Sequence, residues 1–126
     1  IILLDRYTTS SLIYQSALID NIEEKKKFID YVCDFEYNKL GIVKPDVVIF
    51  LYASFDLVTK IREERNKNSI DDIHERNLEF MKKVYDNAMF VADYLNWEKV
   101  KCDENNEMKN MSAIAENIST IVNKIL

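Results

Sequence analysis

The chain has 126 residues, 48% of them hydrophobic and 31% charged, enough for one core with a charged surface; a wholly disordered chain and a second full domain are excluded. Lys and Arg total 17 against 22 for Asp and Glu, a net charge of −5, which is a poor balance for sequence-independent binding to nucleic acid. The single glycine, Gly41, cannot supply GxxxxGK[ST] or GxGxxG, so the chain holds no complete glycine-rich triphosphate loop.

Ile1 to Leu4 reads as a short buried parallel strand whose C-terminal end, at Asp5, faces a ligand crevice. The cluster Thr8 to Ser11 supplies N-caps for a helix carrying Leu12, Ile13 and Tyr14. A second helix over 24–40 repeats Phe28, Val32, Phe35 and Leu40 near helical spacing and stops at Gly41, and the mixed charges Glu23 to Lys27 mark its solvated start. Pro45 and Asp46 introduce a second strand, Val47 to Ala53, whose continuous apolar character predicts burial on both faces. Ser54 and Asp56 begin a helix to about Arg65, and 66–70 is polar and unpatterned, as a mobile connection would be. A long helix from Asp72 to about Leu95 places Leu78, Met81, Tyr85, Ala88, Ala92 and Leu95 on one stripe. Val100 and Cys102 suggest a third strand, and Met111, Ile114, Ile118, Ile121 and Ile125 a closing amphipathic helix. The predicted order βααβααβα implies a parallel sheet with helical crossovers.

The cysteines, Cys33 and Cys102, have no CxxC spacing and only His74 to join them, so neither a zinc site nor a disulfide framework is indicated. Free thiols in a reducing, cytoplasmic setting are expected. The apolar run Val47 to Ala53 is far shorter than the roughly 20 residues that span a bilayer. The start, IILLDRY, lacks an initiating Met and a basic region and reads as a chain opened at a strand.

The strongest chemical signal is DRYTTSSLIYQ, Asp5 to Gln15, where a carboxylate, a guanidinium and several hydroxyls leave the end of a predicted strand together. Arg6 has the geometry to clamp phosphate oxygens, and Asp5 to hold a metal-bound water or orient that clamp; an ion pair with helix caps is the structural alternative. Asp72 with Glu75 is equally the spacing of a helix capping box.

DRY followed by Ser10 and Tyr14, then KPD before an apolar strand, resembles the thymidylate kinase family, P-loop enzymes that phosphorylate dTMP. DIHERNLEFMKKVY resembles the lid edge and following helix of that family, and CDENNEM with the last helix its C-terminal strand, loop and helix. The resemblance spans nearly the whole chain and is most specific in the DRY block. It implies a P-loop kinase-like fold, a parallel sheet with flanking helices in three α/β/α layers, here without the N-terminal strand and phosphate loop. Residues 1–126 would then be the C-terminal part of one domain, with a lid-like segment at about 65–75. It also implies ATP and dTMP as substrates, Mg2+ as cofactor, a homodimeric full-length enzyme and no nucleic-acid or membrane partner.

By the same resemblance, Asp5 and Arg6 match the pair beside the phosphates, the arginine bridging donor and acceptor and the aspartate near magnesium. Tyr7 packs beneath the motif. Ser10 and Ser11 match the stretch facing the thymine edge, and Tyr14 the aromatic against the sugar. Arg62 and Arg65 match lid arginines, and Asp72, His74 and Glu75 a lid-edge segment, while Arg76 is a solvent-facing helix residue. Without the phosphate loop the isolated chain is expected to be inactive. The rival expectations are a deoxynucleoside kinase or other nucleoside monophosphate kinase, and a non-catalytic nucleotide-binding or dimerisation module.

Overall fold

The computed structural model describes residues 1–65 and 77–126 in full and residues 71–76 by their backbone. The elements are α1 (Thr8–Ser16), α2 (Ile22–Cys33) continuing into a π-helical segment (Asp34–Lys39), β1 (Ile49–Tyr52), α3 (Phe55–Arg65), α4 (Asp71–Tyr94), β2 (Glu98–Lys101), a hairpin of β3 (Asp103–Glu104) and β4 (Glu107–Met108), and α5 (Met111–Ile125). The chain is therefore mixed α/β. β1 and β2 pair in parallel with Ile49 opposite Glu98 and Tyr52 opposite Lys101, and α3 and α4 lie between them in sequence, as a parallel connection requires.

Local chemistry sets the boundaries. Asn21 accepts the Glu24 N–H at 3.0 Å and so caps α2, and Glu23 and Glu24 in the first turn complement the positive end of the helix. Beyond Cys33 the helix widens: the Leu40 N–H donates to the Phe35 carbonyl at 2.8 Å, five residues back. It ends where the sequence predicts, with Gly41 in the left-handed region at φ +70° and the Ile42 N–H closing onto the Glu36 carbonyl. Asn110 caps α5 through the Ala113 N–H at 2.8 Å. The β3–β4 hairpin, which the sequence reading leaves as loop, turns on Asn105 and Asn106 with φ of 51° and 65°. Two consecutive positive φ values are those of a type I′ turn, and asparagine tolerates them better than most residues.

The core centres on Leu12 of α1, Ile29 of α2 and Val91 of α4, flanked by Phe28, Phe90 and Trp97. The stripe predicted along the long helix is real: Ala88 and Ala92 are buried and Leu78, Met81, Tyr85 and Leu95 partly so. α1 is tied to α4 by Asn87, whose buried amide donates to the Ile13 carbonyl at 2.7 Å and to Ser16 Oγ at 2.8 Å.

Two expectations fail. Ile1 to Leu4 is not a strand; these residues are exposed, Ile1 by 91% and Leu4 by 61%. A strand needs a partner for its backbone groups, and no described element lies against this one. Regular pairing in the second strand narrows from Val47–Ala53 to Ile49–Tyr52, and Leu51 is 49% exposed, so burial on both faces is not achieved. The cause is the same, since among the described residues β1 is paired on one side only. The predicted connection at 66–70 lies outside the described residues, as do the side chains of the Asp72 and Glu75 capping box.

Candidate functional site

Helix α4 runs against the direction of the strands. Tyr85 hydroxyl donates to the Ala53 carbonyl at 2.7 Å, at the end where β1 leaves the sheet. Nearly three helical turns on, Leu95 leads into Trp97 and Glu98, whose N–H donates to the Val48 carbonyl at the end where β1 enters. α1 is antiparallel to α4: Ser16 is level with Asn87, and Thr8 and Thr9 stand beside Val47, Val48 and Asn96. The DRY block thus opens α1 near the entry ends of β1 and β2.

Within that block Asp5 and Arg6 are exposed, and among the described residues neither makes an ion pair. Arg6 has φ +69°, a left-handed backbone that costs an L-residue about 1–2 kcal/mol and that clusters at functional sites. Tyr7 is extended and occupies the N-cap position without a side-chain cap; its hydroxyl donates instead to the Val43 carbonyl at 3.0 Å. The hydroxyl residues predicted as caps therefore lie inside the helix. Thr8 Oγ1 is 3.4 Å from the Tyr37 hydroxyl, and Ser11 Oγ accepts from Gln15 Nε2 at 3.0 Å. Ser10 and Ser11, four and three residues before the half-exposed Tyr14, share its face of α1. Burial and the neighbouring Glu36 push the Cys33 thiol above its ordinary value, so it is a weak nucleophile.

The exit end of the sheet carries a second group. Asp103, buried after β2, accepts the Ser54 N–H at 3.2 Å, and hydrogen bonding from Ser54 holds its carboxyl below the ordinary range. Tyr85 packs edge-on against Phe55, and Lys82 stands over both rings. Arg62 of α3 donates from Nη1 to Met81 Sδ at 3.0 Å, and Arg65 is exposed in the last turn of that helix. The sequence places Tyr85 on the helix stripe and Asp103 in the CDENNEM segment, but it does not show that they meet at the exit end of β1, because their partners Ala53 and Ser54 lie 32 and 49 positions away.

The structure brings Ser10, Ser11 and Tyr14 together behind Asp5 and Arg6, and it places Arg62 and Arg65 at the other end of the sheet. The side chains of Asp72, His74, Glu75 and Arg76 lie outside the described residues. Among the described residues no three His, Cys, Asp or Glu side chains group as metal ligands, and no helix is long and apolar enough to cross a membrane. No family model, no curated protein and no solved structure matches the chain.

Proposed function

We propose that this chain is the acceptor and lid portion of a thymidylate kinase-like phosphotransferase, which moves the γ-phosphoryl of ATP to dTMP by direct in-line displacement and yields dTDP. The observation that carries the reading is the DRY block: an unpaired Arg6 on a left-handed backbone, with Ser10, Ser11 and Tyr14 on one helix face behind it. An arginine free of ion pairs is available to the charge that develops on a transferring phosphoryl group. The Ser10 and Ser11 hydroxyls can hydrogen-bond a base edge. The Tyr14 ring supplies bulk against the sugar, disfavouring a ribose 2′-hydroxyl.

Magnesium is held mainly by phosphate oxygens and water, with one or two carboxylates. The lone exposed carboxylate of Asp5 fits a water-mediated contact of that kind and nothing more extensive. Bound there, the ion would neutralise charge on the phosphates; Asp5 would order its water or orient Arg6. Arg62, Arg65, Asp72, His74 and Glu75 would close over the donor.

The reading also demands a phosphate loop and a central strand supplied from outside these residues, giving the three-layer α/β/α sheet. The free side of β1 and the exposed Ile1 to Leu4 suit such completion. ATP-dependent formation of dTDP by the complete gene product is the test, with Arg6→Ala expected to lower kcat by about 10²–10³. A preference for thymidine over dTMP would make it a deoxynucleoside kinase. Absence of any phosphoryl transfer would favour the second reading, a partner-dependent binding module, for which the separation of Arg6 from Arg62 speaks.

A further inference from the structure

A cavity of about 390 Å³ opens at the entry ends of β1 and β2, among α1, the π-helical segment and the loops before both strands. Its size lies in the lower part of the range of small-molecule sites, about 300–1,000 Å³. The widened helix matters here. It brings Glu36 and Tyr37 to the cavity wall, where Tyr37 is fixed by its hydroxyl contact with Thr8. Trp97, the only tryptophan of the chain, also lines the cavity, and its ring is held by a tilted contact with Phe50 at 6.2 Å. Leu12, Val47 and Val48 supply apolar wall.

The charge on the lining is unbalanced. Glu36, Asp46 and Glu98 contribute three carboxylates and Lys44 one ammonium. Among the described residues none of the three carboxylates is held in an ion pair. Cys33 is also in the wall, where burial first, and then Glu36 and Asp30 against the weaker effect of Lys44, push its thiol up.

We infer that this cavity binds a small organic cation with a ring-sized apolar body, the body contacting the apolar and aromatic lining and the ammonium group meeting the carboxylates of Glu36 and Asp46. Aromatic faces attract cations, and unpaired carboxylates at the rim add directional charge. An anion of the same size meets a net negative wall. The site is at the opposite end of the sheet from Arg62 and Asp103 and does not depend on the kinase reading.

The emission of Trp97 gives the readout, with 2-phenylethylammonium as probe and 2-phenylethanol as its neutral counterpart. The ammonium compound should change the emission saturably and bind at least about tenfold tighter than the alcohol. Raising the salt from about 0.05 to about 0.5 M should weaken the amine and leave the alcohol unchanged. The double variant Glu36→Gln, Asp46→Asn should remove most of the amine's advantage, with circular dichroism as the check on folding. No saturable change, or equal affinity for amine and alcohol in the unmodified chain, overturns the inference whether or not the variant folds.

Discussion

Asn87 does at one position what a patch of apolar surface does elsewhere. Its buried Nδ2 holds two acceptors of α1, the Ile13 carbonyl and Ser16 Oγ, so that two helices meet on a polar tie inside an otherwise apolar contact. Asn87→Ala removes both bonds, leaving Ser16 Oγ without this donor while the Ile13 carbonyl keeps the Ala17 N–H, and should lower stability by about 1–3 kcal/mol, read from urea unfolding at neutral pH. Asp103 acts in a different way. Ser54 hydrogen bonding keeps its carboxyl below the ordinary 3.8, so the folded state favours the ionised form. That contribution is present above the unfolded value and is lost as pH falls through the lower folded one. Unfolding followed from pH 7 down to pH 2 should show a steeper acid limb below about pH 4 in the unmodified chain than in Asp103→Asn, which should also be less stable at pH 7. Both act through partners 49 or more positions away, which a linear reading does not show.

At the level of elements, side-chain caps and apolar periodicity carry the local information. Asn21→Ala should cost about 1 kcal/mol, seen as a lower unfolding midpoint with an unchanged denaturant slope, since only the α2 start is touched. The long helix, the stop at Gly41 and the closing helix α5 were legible because each depends on residues within a turn or two. At the start of α1, four hydroxyl residues in a row look like caps, yet backbone geometry gives the N-cap position to Tyr7 and folds them into the first turn. The π-helical widening leaves no mark in the apolar pattern. The same limit applies to the site. The residue types of the DRY block were visible at once, whereas its position relative to Arg62 depends on the direction in which α1 packs on α4.

For the whole molecule, coverage of the sheet is what separates the two readings. Parallel sheets ordinarily have both faces buried, and here Leu51 is half-exposed in the middle of β1. Leu51→Lys in the 126-residue chain should change stability by no more than about 0.5 kcal/mol, as exposed substitutions do. In a complete protein whose central strand lies beside β1, the same substitution should cost several times that amount, because it buries a charge. Comparing the two unfolding curves separates a self-sufficient binding module from a portion of a kinase sheet, independently of any activity assay.

The register of β1 and β2 bears on how the chain reaches its structure. Ile49 pairs with Glu98, 49 positions away, and nothing short-range can hold the two strands together beforehand. Loop closure over that span must be met before the pairing yields any stabilisation, and non-local contacts of this kind slow folding. α4 shortens the search, since a rigid helix of 24 residues fixes the separation between Tyr85, which anchors to Ala53, and Trp97, which leads into β2. Refolding kinetics would then be set by the docking of α4 onto the end of β1, with the parallel ladder closing last.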